Sequence, residues 1–201
     1  MPTPSFNTPA QLLLRLTCAL LTLLALALPT AQAQTTAQLV PAASEITFTS
    51  KQMGVAVEGR FKRFEAQLNF DPKRPEAGRV SFQIDLTSAT LGDAMFDAEL
   101  AKPVWFDTAR SRMAVFQSSQ IKPLGNNRFE VLGKLQIKGQ VRELSVPLTL
   151  SSSKNQTLAS GQVQIRRLDF RIGEGEWADT SMVANEVQVR FKLAFSGLSL
   201  P

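Results

Sequence analysis

The sequence predicts an all-β protein of about eight antiparallel strands with one short helix or loop insertion. Three observations carry this. From Ile46 to Phe195, apolar and polar residues alternate in run after run; a period of two puts successive side chains on opposite faces of a sheet. The runs are separated by proline, glycine and asparagine clusters rather than by helical stretches. A single segment, Thr90 to Thr108, breaks the rhythm. A chain of this kind has few helices to cover its apolar face, so it packs one sheet on another or closes into a barrel. Eight strands suit a barrel whose lining either meets across the middle or holds one elongated ligand.

The N-terminal segment stands apart from this pattern. Arg15 is the only charge before the apolar run Leu16 to Leu28, Pro29 ends the run, and Ala31-Gln32-Ala33 follows. This is the pattern of a cleavable export signal, so residues 1–33 are expected to be a signal peptide cut after Ala33, and residues 34–201 one domain. The run is shorter than the roughly 18 to 20 residues of a membrane-spanning helix. The only cysteine, Cys18, lies inside it. The 168 residues after Ala33 therefore contain no thiol, which excludes disulfides, thiolate catalysis and cysteine metal sites there. The chain has no histidine, which removes Ser-His-Asp chemistry and the commonest general base and metal ligand. Beyond Ala33, 21 basic and 17 acidic residues leave a charge of +4. That excess is scattered without the aromatic interleaving of a nucleic-acid surface.

Ile46, Phe48 and Ser50 share one face of the first strand, and Gly54 marks a bulge or sharp bend before Val55 to Gly59. Phe64, Ala66, Leu68 and Phe70 form the next apolar face, and Asp71-Pro72-Lys73-Arg74-Pro75 is a turn cluster. Val80, Phe82, Ile84 and Leu86 resume the alternation. Asp93 is placed to cap a short helix carrying Met95, Phe96 and Leu100, ended by Pro103. Further strands are expected at about Arg112–Ile121, Phe129–Ile137, Leu144–Leu150, Gly161–Phe170 and Asn185–Phe195. Gly125-Asn126-Asn127 and Lys138-Gly139-Gln140 are turns between them, and Ser151 to Gln156 is a polar loop. The Ile172–Trp177 loop carries Glu174 and Glu176 between glycines and is read as a solvated turn. Arg167 and Asp169 share a strand face and are expected to pair.

Four ordered groups of residues carry a family resemblance. The first runs from Ser44-Glu-Ile-Thr-Phe-Thr-Ser-Lys-Gln-Met-Gly54 through Gly59-Arg-Phe-Lys-Arg-Phe64 to Phe70-Asp-Pro72. The second is Asp97-Ala-Glu-Leu100 with Trp105-Phe-Asp107 and Ala114-Val-Phe116, and the third is Gly133-Lys-Leu-Gln-Ile-Lys-Gly139 with Val146-Pro-Leu148. The last is Arg167-Leu-Asp-Phe-Arg-Ile-Gly173 with Trp177. Together they resemble the YceI family of exported bacterial proteins, across essentially all of residues 34–201. The resemblance implies an extended antiparallel, lipocalin-like barrel that is periplasmic or secreted, is not known for catalysis, and binds a long polyisoprenoid such as a quinone precursor. Two positions depart from the family pattern: Gln52 stands where histidine is common, and Ala101 where a basic residue often follows the Asp97 motif. Gln52 can donate and accept hydrogen bonds but cannot titrate.

Strand parity selects Phe48, Phe64, Phe82, Phe116, Val131, Phe170, Val189 and Phe191 as the apolar lining of a ligand tunnel. Gln52, Arg60, Asp97 and Trp105 are the candidate mouth and polar anchor. The leading expectation is a non-enzymatic periplasmic carrier of an isoprenoid or quinone-like lipid, with no catalytic cofactor, no metal and no nucleic-acid partner. A membrane cytochrome that handles quinones is the expected protein partner, with a homodimer as a further expectation. The alternatives are an interaction module for such a cytochrome, and a lipid-modifying enzyme working through Asp97, Asp107 or Asp169.

Overall fold

The computed structural model describes residues 37–71, 74–198 and 200. The expected signal peptide with its cut after Ala33, and Pro72 and Lys73 of the turn cluster, lie outside the described residues. Eleven strand segments form one antiparallel sheet that closes on itself. They are β1 (Ala37–Leu39), β2 (Glu45–Gln52), β3 (Val55–Phe61), β4 (Phe64–Asn69), β5 (Arg79–Asp85), β6 (Ala89–Thr90), β7 (Met113–Gly125), β8 (Arg128–Ile137), β9 (Gln140–Ser153), β10 (Gln156–Arg166) and β11 (Glu186–Ser196). One short helix, α1 (Ala94–Leu100), lies between β6 and β7.

The eleven segments make eight staves, because three staves are interrupted. β1 and β2 lie end to end along β11, pairing Leu39 with Phe195 and Phe48 with Val189. β3 and β4 continue one another against β2 and β1, and β5 and β6 do the same against β4 and β3. The expected fold, an eight-stranded antiparallel barrel with one helical insertion, is thus the fold found. Its later staves are long: β9 has 14 residues, about 45 Å at strand rise. At the joint between β1 and β2, the Ser44 hydroxyl donates to the Val40 carbonyl at 2.8 Å and accepts the Ala194 N–H at 2.9 Å, stitching the broken stave to β11.

Several boundaries differ from the sequence reading. Gly54 is neither bulge nor bend. Met53 and Gly54, both at positive φ, make a tight hairpin turn between β2 and β3. The loop expected at Ser151–Gln156 is a turn of only Lys154 and Asn155, with strand on both sides. The strand expected at Gly161–Phe170 stops at Arg166, and Arg167–Phe170 is a 3-10 turn closed by Arg171 in the left-handed region.

The two longest connections sit at one end of the barrel. Gln52, Asp85, Met113, Ile137, Arg166 and Glu186 are the strand ends there, as the pairing registers require. The connection from Leu86 to Arg112, which contains α1, and the segment from Arg167 to Asn185 both leave from this end. A buried cluster of Leu86, Ala89, Phe106, Ala114, Ile137, Phe170 and Ile172 packs beneath them. A second cluster fills the opposite end, including Ala37, Leu68, Ile121, Phe129, Leu150 and Phe195; there Phe70 meets Phe129 edge-on at 5.3 Å.

Asp85 pins the corner where three staves meet. Its carboxylate accepts from Arg112 at 2.8 Å, Arg63 at 3.0 Å, the Thr87 hydroxyl at 2.6 Å and the Thr87 N–H at 3.0 Å. The Arg112 guanidinium above all, helped by Thr87 and Arg63 and opposed by burial, holds this carboxyl well below the usual carboxylate range. Both arginines are more than half exposed, so solvent screens much of the attraction. We expect Asp85→Ala to cost about 1–3 kcal/mol through the lost cap and buried hydrogen bonds. The folded carboxyl titrates below the unfolded one. Its contribution is therefore complete above the ordinary carboxylate range and fades as pH falls through that range toward the depressed folded value. Melting both proteins at about pH 6 and about pH 2 checks this: the gap between them should shrink in acid.

Candidate functional site: a lipid-sized cavity inside the barrel

The inward faces of the staves leave an internal cavity of about 550 Å³, within the roughly 300–1,000 Å³ typical of small-molecule sites. Its wall is apolar on nearly every stave. Val187, Val189, Phe191, Leu193 and Phe195 of β11 all face it, as do Leu144, Val146, Leu148 and Leu150 of β9. β7 contributes Ala114 and Phe116, then Ile121; a bulge between Ser118 and Gln120 shifts the parity between them. Among the polar residues on the wall are Ser50, Gln52, Glu99 and Arg167.

Three glycines help shape the cavity. Gly59, Gly133 and Gly161 occupy inward positions on β3, β8 and β10, and each is covered by a phenylalanine ring from a neighbouring stave: Phe48, Phe116 and Phe191. A methyl group at Gly59 would overlap the Phe48 ring, so the ring must swing into the cavity or the sheet must part. Gly59→Ala is expected to cost about 1–3 kcal/mol as an overpacking change and to weaken uptake of any ligand that fills the cavity. Denaturant melts and a ligand titration read the two effects separately.

The two ends of the cavity differ. Far from α1 its wall is formed by the buried cluster that includes Leu68, Ile121, Phe129, Leu150 and Phe195. At the α1 end its wall continues onto exposed residues: Met95 is 76% exposed and Phe96 57%, and both belong to the lining. Asp93 caps α1 by accepting the N–H groups of Met95 and Phe96, so the cap that starts the helix also places its two apolar side chains over the opening. Met53, Val55 and Met182 are exposed at the same end. Met53 lies against Met182 through an N–H···O bond of 2.8 Å, and Gln52 bridges Val183. The opening thus has an apolar rim.

Arg167 holds the other half of this end together. Its side chain is almost wholly buried and pairs with no carboxylate among the described residues; instead it donates to five backbone carbonyls. Nε reaches Ala184, Nη1 reaches Ile172 and Gly173, and Nη2 reaches Trp177 and Val183, at 2.6–3.0 Å. Burial lowers its pKa from the ordinary arginine value. The expected pairing with Asp169 is therefore replaced: once the strand ends at Arg166, Arg167 turns inward and serves the carbonyls of the segment from 172 to 184. Lys138 acts similarly on a smaller scale, donating to the carbonyls of Pro103 at 2.8 Å and Arg171 at 2.6 Å. It thereby ties the α1 connection to the loop after β10. Glu174 is not simply solvated; it pairs with Arg171 at 2.8 Å and lies 3.9 Å from Lys138.

Of the residues selected from sequence, Phe48, Phe82, Phe116, Val131, Val189 and Phe191 line the cavity, and so do Gln52 and Trp105 at the α1 end. Four do not. Phe64 has inward parity but stacks on Phe82 at 6.0 Å instead of reaching the cavity wall. Phe170 is off the strand, in the 3-10 turn, and packs in the cluster beneath the connections. Arg60 projects from the outer face of β3 and is exposed. Asp97 accepts from the Thr90 hydroxyl at 2.6 Å and the Leu91 N–H at 2.7 Å; the Thr90 bond, with the Leu91 N–H, lowers its pKa. It orients α1 on β6 and does not face the cavity. Ser50, Glu99, Met95, Phe96 and Trp177 are wall residues that the sequence reading did not select. Parity alone places Ser50, two residues beyond Phe48; the others come from loops and α1, where no period of two applies. Among the described residues no group of three or more potential metal ligands comes together.

The YceI-like domain family matches this chain over residues 38–195. The chain belongs to that family. The barrel, the α1 connection and the cavity all lie within the matched span. Among solved structures, BcnA of Burkholderia cenocepacia is 41% identical, with a TM-score of 0.75 over 78% of this chain and 99% of that one. A polyisoprenoid binding domain from Saccharophagus degradans shares the fold at 17% identity, with a TM-score of 0.65 over 82% of this chain and 99% of that one. A UPF0312 protein of Vibrio cholerae is 26% identical over 104 residues, which are 51% of this chain and 55% of that protein. The chain thus spans about half the length of the curated relatives from that organism. For a UPF0312 protein of Vibrio campbellii the match is 23% identical and covers 69% of this chain and 79% of that protein.

Proposed function

We propose that this protein is a periplasmic carrier that holds a long isoprenoid or quinone-like amphiphile inside its barrel, and that it acts as a binder and not as an enzyme. The observation that carries this reading is the cavity of about 550 Å³ with an apolar wall on nearly every stave. Each methylene that leaves water for such a wall gains roughly 0.8 kcal/mol, and the barrel supplies that gain without unfolding. The polyisoprenoid-binding character of the Saccharophagus domain supports the same ligand class. The export signal expected at residues 1–33 supports the compartment.

The test is native mass spectrometry of the protein purified from its exported location, followed by organic extraction. A stoichiometric adduct that extracts as an isoprenoid or quinone is the expected result. A clean apo mass, with no uptake when isoprenoids are offered, would sink the reading.

The apolar rim supports a second role beside the first, as partner of a membrane cytochrome that handles quinones. Met53, Val55, Met95, Phe96 and Met182 are exposed together at the open end, and clustered exposed apolar side chains mark interaction surfaces. Charging the rim at Met53 and Met182, neither of which lines the cavity, should then impair delivery of the lipid while leaving its uptake intact.

A further inference from the structure

Oxidisable side chains are few in this protein, and most of its thioethers stand at the open end of the barrel. The chain has no tyrosine and no histidine, and its one cysteine precedes Ala33. Beyond Ala33 the methionines are Met53, Met95, Met113 and Met182. Met53 is 65% exposed, Met95 76% and Met182 41%. Met113 is half-buried at the start of β7, where it pairs with Asp85. The three exposed methionines flank the opening. The Met53 N–H donates to the Met182 carbonyl at 2.8 Å, and beside them Gln52 bridges Val183. Gln52 and Val183 belong to the cavity wall, and so does Met95.

Met53 is also an unusual occupant of its position. It holds the first place of the hairpin turn at φ 48°, followed by Gly54 at φ 82°. Asn-Gly is the usual pair in such a turn, because asparagine tolerates the left-handed region and meets solvent with an amide. Neither the turn nor the core calls for a methionine here, since the side chain is in solvent.

A thioether in solvent is open to peroxide. Its sulfur lone pair attacks one oxygen of hydrogen peroxide, and the O–O bond breaks as the S–O bond forms. The departing hydroxide takes up the proton of the transferred oxygen and leaves as water. Sulfur is oxidised and the peroxide is reduced by the same electron pair. The thioether is flexible and apolar; the sulfoxide is polar and chiral. Sulfoxides at these three positions would turn an apolar rim into a hydrated one.

We infer that Met53, Met95 and Met182 form an oxidant-sensitive modification site, at which peroxide converts the rim thioethers to sulfoxides and slows the transfer of a bound lipid to an apolar acceptor. The effect on transfer rests on the carrier reading above; the modification itself does not.

The experiment treats the purified protein with hydrogen peroxide, maps the added oxygen by peptide mass spectrometry, and loads treated and untreated samples with a prenylated benzoquinone. Transfer to phosphatidylcholine vesicles is followed by recovery of tryptophan fluorescence. Met53, Met95 and Met182 should each gain one oxygen before Met113 reacts, and transfer should slow about tenfold. Methionine sulfoxide reductases should restore the rate. A triple variant, Met53→Leu with Met95→Leu and Met182→Leu, should transfer equally fast before and after peroxide, judged against its own untreated sample. The modification site is overturned if Met113 is oxidised as fast as the other three. Its effect on transfer is overturned if the oxidised wild type transfers at the untreated rate, or if peroxide slows the triple variant as much as the wild type. If the untreated protein takes up no prenylated quinone, the carrier reading fails and takes the effect on transfer with it, while the peptide map still decides the modification site.

Discussion

Arg167→Leu should be the most destabilising single substitution in the barrel, and Arg167→Lys should recover only part of the loss. Five carbonyls, from Ile172, Gly173, Trp177, Val183 and Ala184, depend on one guanidinium. A leucine fills much of the space and serves none of them. Each buried acceptor left unpaired costs about 1–3 kcal/mol; even with water reaching some of them, the total should exceed about 3 kcal/mol, the scale of a broken buried ionic network. A lysine carries the charge but has three donors on one point, against five spread over a planar fork. It leaves at least two carbonyls unserved, so a loss of about 2 kcal/mol or more is expected for it. The damage should be local as well as global. Trp177 and Trp105 both sit against this segment, so their emission should shift to the red in either variant before the rest of the barrel melts. Equal stability of the wild type and Arg167→Leu in urea would show that the carbonyls find other partners and that the guanidinium is not the clamp.

Arg167 also shows where sequence reading stopped working. On paper, Arg167-Leu-Asp-Phe alternates as a strand should, so Phe170 fell on the tunnel wall and Asp169 became the partner of Arg167. Parity cannot register five carbonyls contributed by residues from 172 to 184. They draw Arg167 inward and end the strand at Arg166, and Phe170 is carried into the cluster beneath the connections. Where nothing competed, the period of two was enough. All five alternating residues of β11, from Val187 to Phe195, face the cavity; of these, parity alone selects Val189 and Phe191, as it selects Phe48, Phe82, Phe116 and Val131. On β7 the bulge near Ser119 reverses the parity after Phe116, and no residue type announces it. The eight staves were counted correctly although Gly54 was misread. The hairpin at Met53-Gly54 splits one expected strand in two, while β3 and β4 join end to end as one stave. The open end was the least readable part. Arg60 and Asp97 are candidates for the polar anchor, but charge at a strand surface or a helix start usually serves solvent or a local cap. Met95 and Phe96, which do reach the opening, are legible in the sequence only as apolar residues of a short helix.

A carboxylate placed in the middle of the wall should switch lipid uptake off at neutral pH and let acid switch it back on. Val189 lies on β11 beside Phe48 of β2 and Val163 of β10, and all three line the cavity. In the empty barrel of Val189→Asp, water can enter and solvate the new carboxylate. An isoprenoid tail would displace that water and leave an ionised group against hydrocarbon, at a cost of several kcal/mol. Affinity at about pH 7 should therefore fall by more than about a hundredfold. The neutral acid costs far less to bury, so desolvation by the tail raises the pKa of the introduced group in the bound state. Binding then takes up a proton, and affinity should rise as pH falls toward about 4, where an ordinary aspartate begins to protonate. The wild type, with no titrating group at that position, should show no such rise. Val189→Asn provides the comparison: it is polar, uncharged and of similar size, so it should bind more weakly than the wild type and stay flat with pH. The measurement is a tryptophan-fluorescence titration with one prenylated quinone across this pH range. Binding by Val189→Asp as tight as that of the wild type at neutral pH would mean that the lipid does not lie along β11. Weak binding at every pH, with the fold intact, would mean that it is the shape of the wall at Val189 that the tail needs, and not the absence of charge.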